Sequence, residues 1–190
     1  MDLNYFKLRP LDAVCIASSG IPGKTIRLLT AKLKGFNGFK EMWRLKIANH
    51  VGLIVELENR YWIAEMLGKG LKINSLKEYL QSDRESIVAI RRNPVFLEQD
   101  ARNDANKAII SWAHETVKYD YKGLLEFLGI CPDNPRHMYC SELAEIVANK
   151  FCTTWDAGQL INKSGLKKRI APVEIQFGRG SYAVTNFITN

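Results

Sequence analysis

Apolar residues recur along this chain in two rhythms, and each predicts its own kind of element. Leu11-Asp-Ala-Val-Cys-Ile-Ala17 is a short, mostly apolar run closed by Ser18-Ser19-Gly20, which reads as a buried strand ending in a turn. Val51-Gly-Leu-Ile-Val-Glu-Leu57 and Tyr61-Trp-Ile-Ala-Glu-Met66 are two β-prone runs separated by Glu58-Asn59-Arg60, a hairpin pattern. Ser86-Ile-Val-Ala-Ile-Arg-Arg92 predicts a further strand ended by Asn93-Pro94, and Tyr182 to Phe187 a last one. The 3.6-residue rhythm predicts a helix from Lys24 to Leu33 and another from Gln99 to Val117, the latter with Ala105, Ala108, Ile109, Trp112 and Ala113 along one stripe. Ser75, with Glu78 three positions on, forms a capping-box pattern opening a short helix to Leu80. Tyr121 to Leu128 reads as another short helix, and Cys140 to Phe151 as one that puts Leu143, Ala144, Ile146, Val147 and Phe151 on a single face. Gly35 to Ala48 is glycine-punctuated and reads as a mobile loop, while Cys131 to Met138 contains two prolines and is predicted to be loop throughout. Strands thus gather in the first half and helices in the second, which favours an α+β layer architecture over alternating βαβ units.

Composition sets bounds on this picture. A chain of 190 residues with 46% hydrophobic and 25% charged residues holds one core, so residues 1–190 are expected to form a single domain. No apolar run reaches the roughly 18 residues of a membrane span, and Met1-Asp2-Leu3-Asn4-Tyr5 lacks a basic leader, so the expected location is the cytoplasm of the producing cell. The net charge of +7 points to an anionic partner until it is placed along the chain. Residues 1–50 carry nine basic and three acidic residues, whereas the other 140 carry 18 and 17. The excess lies between Lys24 and Lys46, in a basic insert covering about 24–48. That localisation argues against a nucleic-acid binder and fits either an anionic surface that docks there or a solvated face.

The candidate chemistry centres on one cysteine. Of Cys15, Cys131, Cys140 and Cys152, no two form a CxxC pair, so neither a disulfide scaffold nor a zinc knuckle is indicated. Cys140 follows the proline-containing loop and opens a predicted helix, where N–H groups and the helix dipole favour a thiolate. A buried, inert packing cysteine is the competing reading, and it is the one assigned to Cys15 and Cys152. A nucleophilic thiolate needs an imidazole, and the chain offers His50, His114 and His137. His114 lies on an amphipathic helix and reads as a surface or satisfied packing residue; His137 is three residues before Cys140 on a loop, and nearness in sequence does not bring it to the sulfur. His50 stands directly before a strand, where a rigid element end can present a base. Glu65 interrupts an apolar and aromatic run on the neighbouring strand, so it faces solvent or pairs with something, and His50 is the natural partner. A metal set of Cys131, His137, Cys140 and His114 competes, but its spacing is not a usual zinc pattern. No metal and no cofactor is therefore expected.

In order, Asn49-His50-Val51-Gly52-Leu53, Ile63-Ala64-Glu65, Tyr119-Asp120-Tyr121 and Tyr139-Cys140-Ser141-Glu142-Leu143 resemble the circularly permuted papain-like cysteine hydrolases, the YiiX-like branch of the NlpC superfamily. The resemblance runs from Leu11-Asp12-Ala13-Val14 to Ala171-Pro172-Val173-Glu174, with Asp12-Ala13 where the family often has Gly-Asp. It implies a small antiparallel sheet or partial barrel packed against helices. It implies Cys140 as nucleophile, His50 as base and Glu65 as the orienting residue, with Tyr121 and Tyr139 lining the pocket. The implied activity is amide hydrolysis by a peptidase or amidase, with peptidoglycan-type peptides as the leading substrate. Two alternatives stand beside it. One is a lipid acyl hydrolase or acyltransferase on the same core, whose members usually carry histidine as third residue. The other is an inactive binding module for an anionic surface.

Overall fold

Runs that are apolar at every position, such as Val51 to Val55, become strands covered on both faces. The computed structural model describes residues 8–18, 47–81, 85–92, 99–115, 118–119, 137–138, 140–151 and 183–186. Within them lie strands β1 (Ala13–Ser18), β2 (His50–Leu57), β3 (Arg60–Leu67), β4 (Gly70–Ser75), β5 (Glu85–Arg92), β6 (Lys118–Tyr119), β7 (His137–Met138) and β8 (Ala183–Asn186). The helices are α1 (Leu76–Leu80), α2 (Gln99–His114) and α3 (Cys140–Phe151). Six strands form one sheet in the order β4-β3-β2-β1-β5-β8, each pair antiparallel. The architecture is α+β, as the segregation of strands and helices predicts.

Two apolar clusters sandwich the sheet. On one side Ala13, Cys15, Val51, Leu53, Val55, Ala64 and Met66 meet Ala105 and Ile109 of α2 and Cys140, Leu143, Ala144 and Val147 of α3. On the other, Val14, Ile16, Ile54, Ile63, Ile87 and Ile90 meet Leu8 and, from α1, Leu76 and Tyr79. Strand alternation sends neighbouring residues to opposite clusters, so a one-residue slip in register would exchange the two cores.

Local geometry agrees with the strand predictions and refines their ends. β1 starts at Ala13 because Leu11 takes a φ of 70° and the Asp12 carboxylate accepts the Arg9 N–H at 2.9 Å, which makes a turn of the first two predicted residues. Asp12 is 2% exposed, and Arg92 clamps it with a fork of 2.7 and 2.6 Å hydrogen bonds across the sheet. The β2–β3 hairpin turns on Glu58 and Asn59, whose φ values of 53° and 56° suit the twist of the flanking strands. Ser75 directly precedes α1, the place expected of its cap.

Four expectations need correction. β4 was not predicted, because its only apolar signal is Leu71 alternating with Ile73. α2 ends at His114 rather than Val117, and there the Glu115 N–H bonds back to the Trp112 carbonyl at 3.0 Å. His137–Met138 is a short strand, parallel to Lys118–Tyr119, within a stretch predicted to be loop throughout. Ile47 and Ala48 are fully buried, so the predicted loop is anchored at its end. The predicted helices 24–33 and 121–128, the basic residues from Lys24 to Lys46 and the tail segment 171–175 lie outside the described residues. No described helix is long and apolar enough to cross a membrane.

Candidate active site

The site begins at the residue before β2. Asn49 is buried, its N–H donates to the Ile16 carbonyl at 2.9 Å, and its side chain then acts as one more rung of the ladder. Asn49 Nδ2 donates to the Ser18 carbonyl at 3.0 Å, and the Ser18 N–H donates to Asn49 Oδ1 at 2.9 Å. The backbone entering His50 is thereby fixed to β1 beyond the last regular strand pair, Ile16 with His50. Two residues on, Gly52 stands directly opposite Glu65 of β3.

Glu65 is 2% exposed and both of its carboxylate oxygens accept hydrogen bonds. His50 Nε2 lies 2.7 Å from Glu65 Oε2, and Asn74 Nδ2 of β4 donates to Glu65 Oε1 at 2.7 Å. A carboxylate only accepts, so Nε2 carries a proton in this arrangement and the amide of Asn74 presents its nitrogen. The tautomer is thus set by the neighbours. Nδ1 is the ring nitrogen left for the side-chain hydrogen bond that His50 makes with Cys140.

Cys140 is 3% exposed and is the first residue of α3, which packs across β2 and β3. That packing brings residue 140 to residue 50. Burial on its own pushes the His50 imidazole down, but the negative charges of Cys140 and Glu65 and their hydrogen bonds outweigh it and raise the pKa from 6.5 to about 10. A protonated imidazole is the form of His50 that these surroundings favour near neutral pH.

Cys15 shows the contrast. It is fully buried in the same apolar cluster, and burial pushes its thiol up to about 12, with Arg91 pulling the other way and Cys140 adding to the rise. It is the inert packing cysteine that its place inside a strand predicts.

Of the residues singled out from sequence, Cys140, His50 and Glu65 are brought together. His114 is exposed at the C-terminal end of α2. Tyr121, Tyr139, Cys131 and Cys152 lie outside the described residues, and His137 is described only as part of β7. No group of three or more His, Cys, Asp and Glu among the described residues is arranged to hold a metal ion. Sequence reasoning gave Asn74 no role; the polar position among the alternating residues of β4 was its only signal, and that strand was not anticipated.

The sequence matches, over residues 26–176, the family of permuted papain-like amidase enzymes typified by YaeF and YiiX. The fold is similar to the crystal structure of YiiX from Escherichia coli, with a TM-score of 0.63 at 13% identity over 96% of this chain and 98% of that one. That protein is described as a metalloprotein. No curated protein matches the sequence significantly.

Proposed function

The chain belongs to the permuted papain-like amidase family, and from that premise we propose that it hydrolyses amide bonds with Cys140 as nucleophile, His50 as general base and acid, and Glu65 as the group that orients the imidazole. The observation carrying this reading is the double engagement of His50: Nε2 is held by Glu65 at 2.7 Å, which leaves Nδ1 to serve Cys140.

The chemistry follows from those contacts. Cys140 Sγ, as thiolate, attacks the carbonyl carbon, and the electron pair of the C=O bond moves to oxygen. Backbone N–H groups at the start of α3, including that of Cys140, stabilise this oxyanion, aided by the positive end of the helix dipole. As the tetrahedral species collapses, the C–N bond breaks and the Nδ1 proton of His50 passes to the leaving amine. Neutral His50 then takes a proton from water, whose oxygen attacks the thioester, and release of the acid restores the thiolate and imidazolium.

Peptidoglycan-type peptides are the proposed substrate class, with Tyr121 and Tyr139 contacting the substrate. The basic residues from Lys24 to Lys46 are proposed to meet an anionic part of that substrate or of the surface that carries it.

Iodoacetamide tests the reading without a known substrate. Cys140 should be alkylated ahead of Cys15, Cys131 and Cys152 near neutral pH, and His50→Ala should remove that advantage. Equal labelling of all accessible thiols would sink the nucleophile assignment. Once a cleavable amide is in hand, Cys140→Ala should abolish turnover while leaving the fold intact.

A further inference from the structure

We infer that Asn74 is a positioning residue of this site, acting through Glu65 to keep the His50–Cys140 pair in its charged, reactive arrangement; the inference rests on the catalytic reading above. Three observations lead to it. Asn74 Nδ2 donates to Glu65 Oε1 at 2.7 Å, on the oxygen that His50 does not use. Glu65 is 2% exposed, so solvent does little to stabilise its charge and protein donors must do so. Asn74 and Glu65 lie on adjacent antiparallel strands, where Asn74 is paired with Ile63 and sits diagonally from Glu65, a rigid placement independent of any loop.

An ionised carboxylate with two donors is held in one plane and one charge state. Without the Asn74 donor, Oε1 loses a hydrogen bond that favours the ionised form, and the carboxyl group can rotate away from His50. The imidazolium is then supported less, and with it the thiolate it faces. Among the described residues, the charged and titratable groups about this pair are Glu65 on β3, Cys140 at the start of α3, and the exposed Lys72 of β4, the cross-strand partner of Glu65. Lys72→Ala therefore separates general charge at this spot from the Asn74 hydrogen bond.

The experiment follows His50 ring signals by NMR across pH, together with the rate of Cys140 alkylation by iodoacetamide, in the full chain. Asn74→Ala should lower the His50 titration midpoint by about one pH unit and, because the Glu65 carboxyl group can then turn and leave His50 poorly aligned on Cys140, slow Cys140 alkylation severalfold at pH 7. Lys72→Ala should change neither. Asn74→Asp donates to Glu65 only while the two acids share a proton, so its alkylation deficit should grow from about pH 5 to pH 8. Cys15, buried in the core, should stay unlabelled in every folded variant and so reports folding within the same sample. An unshifted His50 midpoint in Asn74→Ala, or an Asn74→Asp deficit that does not vary with pH, would overturn the inference. A native protein whose Cys140 shows no advantage over the other thiols would instead overturn the catalytic reading on which it rests.

Discussion

Gly52→Ala is the most informative single substitution, because it adds one carbon between the two halves of the site. An added Cβ at residue 52 would stand 2.6 Å from Ile63 Cγ1, 2.7 Å from Ile63 Cδ1 and 3.2 Å from the Ala64 carbonyl oxygen. Ile63 is fully buried in the cluster with Val14, Ile16 and Ile54, so its side chain cannot swing aside without displacing packed neighbours. The Ala64 oxygen belongs to the strand itself and cannot retreat without disturbing the β2–β3 pairing. Overpacking of this kind costs about 1–3 kcal/mol, while replacing glycine stiffens the unfolded chain and returns about 0.4–1 kcal/mol. The expected net loss is about 1–2 kcal/mol, read as a lower urea midpoint at constant slope. The functional loss should be larger in proportion. Gly52 faces Glu65 and lies two residues from His50, so easing β2 from β3 stretches the 2.7 Å His50–Glu65 contact directly. Cys140 alkylation should slow about tenfold or more even where the variant is fully folded. Adding Ile63→Ala to Gly52→Ala removes both close carbons, so the pair should lose less stability than the two single changes summed. Additive losses, or a Gly52→Ala protein as stable and reactive as the native one, would refute the reasoning that this glycine is there for space.

Two further outcomes follow from buried charge. Arg92→Met removes the fork on Asp12, whose carboxylate is 2% exposed, and should cost about 2–3 kcal/mol in urea unfolding, with Cys140 reactivity in the folded protein largely retained; a loss under about 0.5 kcal/mol would show the pair to be worth no more than a surface contact. His50 binds its proton more tightly folded, at about 10, than at the unfolded value of 6.5, so its contribution to stability is full below pH 6.5 and declines as pH rises toward 10. The stability difference between native protein and His50→Gln should therefore shrink over that window by at most about 1.4 kcal/mol per pH unit, and a difference that is flat or grows would contradict a charged His50.

How much of this was legible beforehand depends on whether the signal was local. The hairpin carrying His50 and Glu65 could be read from two β-prone runs and the residues between them, because strand pairing across a two-residue turn is a short-range affair. The helix opened by Cys140 was likewise written in its 3.6-residue stripe. β4 was missed because two alternating apolar residues are a weak signal beside the capping box that follows. The consequence was specific: with no strand at residue 74, there was no reason to bring Asn74 to Glu65.

The sequence by itself determined the α+β class, the strands β1, β2, β3 and β5, the helices opened by Leu76, Gln99 and Cys140, and the burial of Cys15. Those properties follow from periodicity, residue type and position within an element, all of which act over a few residues. Only the tertiary structure decided that Glu65 would receive a donor on each oxygen, that Gly52 would leave room for Ile63, and that α3 would lie across β2 so that Cys140 meets the free nitrogen of His50. Those contacts join residues 50, 65, 74 and 140, and a residue type alone carries no information about which distant atom will stand 2.7 Å away. The physical reason is packing: the apolar cluster that α3 shares with the sheet fixes where α3 lies, and that placement determines which polar groups converge at its first turn.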